Sequence, residues 1–272
     1  MIGLLRADWR KMLHRWMARV LLLILIAIIA LVFLGISSRA RFRADLQRPD
    51  GLVVALSLAA AFAAFIWPVL AGSRSGSEYG WGTVRLALTK QSSRIAFSLS
   101  GLIVVLLMIG FGLVLVLIVG AIEGSIVAAA NKLPAQVQQP GVNVSEVIVK
   151  MFFGTWYASA FYAVLAYVAG VVFRSASAGI GVGIGFAVAQ AAVTGIFTAL
   201  GDLWKSVAEH LPSAYTTALT SQLANELVTG GPIGRTTVGT ASISTSLIAL
   251  AIYFAVLLAV MLAIVQQRDV TS

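Results

Sequence analysis

The sequence has no cysteine among its 272 residues and few charged residues of either sign. The missing cysteine excludes disulfide bonds, thiolate metal sites and thiol redox chemistry. Charged residues make up 11% of the chain, whereas a soluble domain has about a quarter. Hydrophobic residues make up 60%, and the mean hydropathy is +0.97. We therefore predict an integral membrane protein.

Signatures of enzyme and cofactor chemistry are also missing. No glycine is followed by lysine, so the chain lacks the phosphate-binding loop of ATPases, and we expect neither ATP hydrolysis nor a bound cofactor in this chain. The only histidines, His14 and His210, fall on opposite sides of the predicted membrane, so we expect no metal site.

Six apolar runs are long enough to cross a bilayer, which takes about 20 residues of helix. We predict an all-α membrane protein with one transmembrane domain over residues 1–272. The predicted spans are residues 18–36, 51–72, 97–122, 151–173, 177–200 and 243–265.

Residues 2–17, before the first span, place apolar side chains at helical spacing, which predicts an amphipathic interfacial helix. The apolar face holds Ile2, Leu5, Trp9, Met12, Leu13 and Trp16. We assign Arg6, Asp8, Arg10, Lys11, His14 and Arg15 to the polar face. The helix is either a basic membrane anchor or an elbow that also contacts a cytoplasmic partner.

The net charge of +9 is explained by membrane topology and anionic lipid rather than by nucleic acid, and we expect no nucleic-acid partner. The dense basic N-terminal segment places the N-terminus inside, and six spans return the C-terminus to the same side. We predict a multi-pass protein of the cell membrane (inner or plasma membrane) with both termini cytoplasmic.

Two polar segments interrupt the spans. Residues 73–96 are basic and glycine-rich and fit a short cytoplasmic helix with Glu78 near its start. Residues 201–242 form an outer loop, in which residues 213–227 have apolar side chains at four-residue spacing. We predict a helix or re-entrant piece there.

The first of these segments resembles a known motif. It reads Glu78-Tyr79-Gly80-Trp81-Gly82-Thr83-Val84-Arg85-Leu86-Ala87-Leu88-Thr89-Lys90-Gln91-Ser92-Ser93-Arg94. This is similar to the coupling segment of type-two permeases of ATP-binding cassette (ABC) transporters: an acidic residue, Gly-Thr, a Leu-rich phrase and Thr-Arg-Pro-x-Ser-Arg. Gln91 stands where the family often has proline. The elbow helix, the six spans and the outer helical loop extend the resemblance over most of the chain.

The resemblance implies the membrane subunit of an ABC exporter. Two permease subunits, identical or related, would form the pathway, and two separate ATPase subunits would bind MgATP below them. The residues implied in coupling are Glu78, Tyr79, Gly82, Thr83, Arg85, Leu86 and Leu88. Those implied in the elbow are Trp9, Arg10, Met12, Leu13 and Trp16. Glu78 would pair with a basic residue of the ATPase or cap the coupling helix.

The spans carry no ionisable residue at mid-depth, which favours an ATP-driven permease over an ion-coupled carrier. The alternatives are a non-transporting scaffold or assembly protein and an energy-independent channel or carrier. Candidates for the pathway or for helix packing are Gln190, Phe161, Tyr162, Gly181 and Gly185. The glycine pairs Gly179/Gly183 and Gly181/Gly185 indicate close packing, either within the chain or between two chains.

Overall fold

The computed structural model describes residues 2–47, 49–80, 93–133, 143–225 and 241–267. All regular structure in these ranges is helical, and two short 3-10 turns, Ala40–Phe42 and Ala44–Leu46, precede the third helix. The helices are α1 (Ile2–His14), α2 (Trp16–Ser37), α3 (Asp50–Gly80), α4 (Arg94–Ala130), α5 (Val144–Val172), α6 (Ala176–Ala199), α7 (Asp202–Glu209), α8 (Pro212–Asn225) and α9 (Ile243–Gln267).

Six of these helices, α2, α3, α4, α5, α6 and α9, are long and apolar enough to cross a membrane. The predicted all-α fold with six membrane-length helices is therefore confirmed. Helices suit these segments because each backbone N–H and C=O is satisfied within the helix, where a bilayer offers no water. The end of the helix bundle at which α1 lies also holds the C-terminus of α3 and the N-termini of α4 and α6. It is named the α1 end here.

The third helix is longer than predicted. We placed residues 73–80 in a loop, but they form the last two turns of α3. The reason lies in packing and ion pairing. Gly72 and Gly76 let the helix approach the α5–α6 turn: a Cβ added at Gly72 would lie 2.6 Å from the Ile180 nitrogen, and one at Gly76 would overlap the Ser175–Ala176 backbone. Arg74 and Glu78 pair along the helix.

Helix α5 is the most enclosed span, whereas α2, α6 and α9 leave most of their surface exposed. Its small residues explain this, because they let neighbouring helices approach closely. Gly154 contacts Leu223 of α8, and Gly170 contacts Ser75 of α3. Exposed Leu, Ile and Val side chains on the outer helices provide the surface that lipid chains cover.

The helices α7 and α8 form a hairpin that packs beside the spans, mainly against α5, α6 and α9. At its turn, the Ser213 N–H donates to Gln190 Oε1 (2.7 Å), and the Tyr253 hydroxyl donates to the His210 carbonyl (3.1 Å). Gln190 and Tyr253 lie in the middle parts of α6 and α9. The turn is therefore about 13–15 Å from the nearest ends of those helices, at 1.5 Å of rise per residue.

Candidate functional site

A buried ionic cluster joins α1, α3 and α4 at the α1 end. We define it by its five charged members, Asp8, Lys11, Arg15, Arg74 and Glu78. Asp8, Arg74 and Glu78 are buried, which is unusual for charged side chains unless they are paired.

Arg74 is the centre of the cluster, and its side chain is only 2% exposed. Its Nη1 atom donates to Glu78 Oε1 at 2.6 Å, and its Nη2 atom donates to Asp8 Oδ1 at 2.8 Å. Ser100 of α4 donates to Asp8 Oδ2 at 2.6 Å. One guanidinium therefore binds α1 to α3, and the same aspartate binds α1 to α4.

Glu78 occupies the last turn of α3, where the helix dipole disfavours a negative charge. Three cations offset that effect. Besides Arg74, both Lys11 Nζ (2.7 Å) and Arg15 Nη2 (3.1 Å) approach Glu78 Oε1. Arg15 Nη1 also donates to Ser77 Oγ at 3.0 Å. The C-terminal turn of α3 is thereby held against α1.

The ionic cluster has an excess of positive charge, because three cations face two carboxylates. Burial lowers the pKa of Arg15, and the nearby positive charge of Arg74 lowers it further. Glu78 and then Asp8 act in the opposite direction. Arginine has so high a pKa that its guanidinium stays charged. Arg15 and Arg74 are therefore permanent positive charges of the cluster.

The elbow residues are distributed over different environments. Met12 is buried, while Trp9 and Leu13 are partly buried and packed against the core. The Trp9 ring meets Phe111 of α4 edge-on, with 6.1 Å between centroids. Arg10 is exposed. Trp16 is 76% exposed and begins α2 rather than ending α1. Its place on the apolar face that meets the membrane stays a prediction.

Of the coupling residues, Glu78 is described in full. We expected it near the start of a short helix, pairing with an ATPase or capping that helix. It lies instead at the end of α3 and binds partners within the chain. The other candidates, Gly82, Thr83, Arg85, Leu86 and Leu88, lie outside the described residues, as does the side chain of Tyr79.

Tyr162, a pathway candidate, lines a cavity of about 280 Å³ between α3, α5 and α8. Its hydroxyl lies 3.4 Å from that of Thr216. The cavity wall is made of small and hydroxyl-bearing side chains. These are Ser57, Thr216, Thr217, Thr220 and Ser221, with alanines between them. Phe161 is buried in an aromatic group with Tyr162, Phe186, Tyr253 and Phe254, at centroid distances of 5.3–6.3 Å.

The other candidates in α6 separate into two faces. Gln190 is buried and accepts the hydrogen bond from Ser213 described above. Gly183 packs against Pro68 and Ala166, where an added Cβ would lie 2.6 and 2.8 Å from their Cβ atoms. Cβ atoms at Gly181 and Gly185 would have no described heavy atom within 4 Å. Of the two glycine pairs, Gly179/Gly183 therefore packs within the chain.

Sequence reasoning missed two members of the ionic cluster. We assigned Asp8 to the polar face of α1, but it is buried. Its spacing contained the signal, because Asp8 lies three residues after Leu5 and four before Met12, on the packed face. Arg74 was assigned to a loop because it lies among glycines and serines, and nothing local to it reveals its partner 66 residues away.

In the described parts of the chain, no group of three or more His, Cys, Asp or Glu side chains is arranged to hold a metal ion. Fold and site together define a multi-pass helical membrane protein with a buried ion network at one end. The chain belongs to the family described as "Protein of unknown function (DUF2705)", whose family model matches residues 23–271. A comparison with the curated proteins finds no match.

Proposed function

We propose that this chain is the membrane subunit of an ABC exporter, with both termini cytoplasmic and with MgATP bound by separate ATPase subunits. The observation that carries the proposal is the position of the ionic cluster. It fixes the last turn of α3 to α1 and α4 immediately before residues 81–92, and residues 78–94 are the segment that resembles the coupling motif of type-two permeases.

The cluster gives this segment a mechanical connection to the spans. Helix α3 ends at Gly80 and α4 begins at Arg94, so a force on the residues between them acts on both helices. Arg74 and Glu78 hold α1 to the same unit. Breaking one partner away from such a buried network is strongly destabilising. Because separating the helices would break the same contacts, we expect α1, α3 and α4 to move together at this end.

The outward face of α6 supports a second permease subunit, identical or related. Ser177, Gly181, Gly185 and Ala189 recur at four-residue spacing and are exposed. Small residues in this register allow close approach of another helix in a membrane. The hydroxyl-lined cavity at Tyr162 and the aromatic group around Phe161 suit an uncharged or amphipathic cargo, such as a peptide, lipid or drug.

Charge supports the orientation. The described residues at the α1 end include eight Lys or Arg, namely Arg6, Arg10, Lys11, Arg15, Arg19, Arg74, Arg94 and Arg174. They include two acids there, Asp8 and Glu78. Cytoplasmic ends of membrane proteins carry such an excess of Lys and Arg.

Co-purification tests the proposal. The tagged chain is expressed with the ATPase encoded beside its gene, extracted in mild detergent and analysed by native mass spectrometry. We expect two permease and two ATPase subunits. A stable chain without ATPase under several extraction conditions would contradict the proposal and favour a scaffold or a passive channel. ATP-independent flux in proteoliposomes would favour the channel.

A charge-reversed pair locates the contact. Arg85→Glu lies in the segment that resembles the coupling motif, and we expect it to abolish ATPase retention. Lys132→Glu is the matched control, since Lys132 is exposed at the opposite end of α4. It should retain the ATPase as wild type does. Equal retention by both variants would exclude Arg85 as a docking contact.

A further inference from the structure

A cavity of about 770 Å³ lies beside the ionic cluster, at the α1 end. Its walls are the end of α1, the first turn of α2, the last turns of α3 and the α5–α6 turn. Both α2 and α6 begin at this level, so in a bilayer that these two helices cross, the cavity would face the lipid headgroups. Its volume is within the range of about 300–1,000 Å³ that is typical of ligand sites.

One side of the cavity is positively charged. Arg15 and Arg174 line it, and no carboxylate does so among the described lining residues. Arg15 belongs to the ionic cluster, and Arg174 brings a second guanidinium group to the cavity lining. The N-terminus of the 24-residue helix α6 adds its positive dipole end at Ala176. The Ser77 hydroxyl, which accepts from Arg15 Nη1, also lines the cavity and can donate to an anion, whereas the Ser73 hydroxyl donates to the Leu70 carbonyl at 2.9 Å.

Arg174 has an unusual backbone conformation, with φ at +53° in the left-handed region. Glycine and asparagine adopt this region most easily, so an arginine there is less stable than either. The conformation is that of a helix C-terminal cap, because Arg174 follows the end of α5 and the Ser175 N–H donates to the Gly170 carbonyl at 3.2 Å, as in a Schellman motif. Here the conformation accompanies a side chain that lines the cavity.

The other side of the cavity is apolar. Leu70, Ile180 and Met17 line it, and the exposed Trp16 stands with them. Tryptophan is enriched where headgroups meet acyl chains. The cavity therefore has a cationic, hydroxyl-rich side and an apolar side, which is the polarity of a phospholipid.

We propose that this cavity binds the phosphate group of an anionic membrane phospholipid, with the acyl chains against its apolar side. A free phosphate ion shares the anion chemistry but would leave the apolar wall and most of the volume unused. The proposal does not depend on the transport function, because it concerns only how α1, α2, α3 and α6 meet at the membrane surface.

Lipid retention tests the site. The full-length protein in mild detergent receives equal amounts of phosphatidylglycerol and phosphatidylcholine, and bound lipid is counted by native mass spectrometry. We expect preferential retention of phosphatidylglycerol. Arg174→Asn suits the left-handed backbone and removes the charge, and it should weaken retention about tenfold, as expected for loss of one charge-assisted contact. Arg174→Lys should retain most of the preference.

Two further variants separate a site from general surface charge. Arg10→Asn removes an exposed charge at the same end and should leave the preference unchanged. Ser73→Met fills the cavity without changing the charge and should abolish the preference, with circular dichroism and gel filtration confirming the fold. Equal retention of both lipids by wild type, or equal losses in Arg10→Asn and Arg174→Asn, would overturn the proposal.

Soluble glycerol phosphate distinguishes the source of the anion. We expect it to compete with phosphatidylglycerol only weakly, because it lacks the acyl chains that fill the apolar side. Competition as strong as that of added phosphatidylglycerol would assign the site to a soluble phosphate and refute the lipid.

Discussion

Arg74→Met tests the central role of the ionic cluster. Methionine keeps much of the apolar stem of arginine but removes the guanidinium that binds Asp8 and Glu78. Glu78 still has Lys11 and Arg15, whereas Asp8 keeps the hydrogen bond from the Ser100 hydroxyl. Because the variant leaves a buried carboxylate without its cation, we expect it to lower the free energy of unfolding by about 3–5 kcal/mol.

The second half of the test asks whether the effect of Asp8→Asn on stability changes from unfavourable to favourable when Arg74 is replaced. In wild type, Asp8→Asn removes a charge that Arg74 needs and should destabilise. In the Arg74→Met background, the same substitution removes an unpaired charge and should restore about 1–3 kcal/mol. Reversible unfolding in mixed detergent and SDS micelles, followed by tryptophan fluorescence, measures all four proteins.

The control is an ion pair of matching geometry but different burial. Lys150 approaches Glu146 at 2.8 Å, but their side chains are 49% and 56% exposed. We expect no measurable change for Lys150→Met, since exposed pairs contribute little. The reasoning is refuted if Arg74→Met changes stability by less than about 1 kcal/mol, or if Asp8→Asn has the same effect in both backgrounds.

Three other predictions concern single residues, and the unfolding assay described above measures the stability of each variant. Burial raises the pKa of Asp45 above 3.8, so stability should fall as pH rises from that value through the raised pKa, and Asp45→Asn should remove the fall. Gly183→Ala should destabilise because its Cβ would meet Pro68, whereas Gly181→Ala meets no described atom and should gain up to about 1 kcal/mol of helix propensity. Gln190→Leu should lose about 1–3 kcal/mol by removing the acceptor of a backbone N–H. The burial of Asp45 would be contradicted by an absence of pH dependence, the Gly183 packing by equal effects of the two glycine variants, and the Gln190 hydrogen bond by a neutral Gln190→Leu.

The spans could be predicted from sequence because a bilayer imposes one strong rule. Every backbone polar group must be satisfied within the segment, so an apolar run of sufficient length has to be a helix. The helix ends follow no such rule. Residues 73–80 read as a loop because serines and glycines prefer turns, and they became helix through contacts with Ser175 and Asp8. Those contacts connect residues far apart in the sequence, which a local pattern does not encode.

The ionic cluster, too, could be predicted from local sequence only in part. Its chemistry was visible as isolated charges, and the periodicity of α1 contained the burial of Asp8. The pairing was not visible, since Ser100 lies 92 residues from Asp8 and Glu78 lies 67 residues from Lys11. Only the folded arrangement turns three unremarkable segments into one buried network.

Gln190 illustrates how a polar residue in a span acquires its role. From sequence, it either bonds a neighbouring helix or faces a substrate path. In the structure, its Oε1 accepts the N–H of Ser213 at the start of α8, where the first backbone donors of a helix have no partner within that helix. Tyr253 serves the hairpin in the complementary way by donating to the carbonyl of His210. A helical break at this depth needs both a donor and an acceptor from its neighbours, because lipid supplies neither. The two polar side chains in the middle of α6 and α9 are thus explained by the hairpin between them.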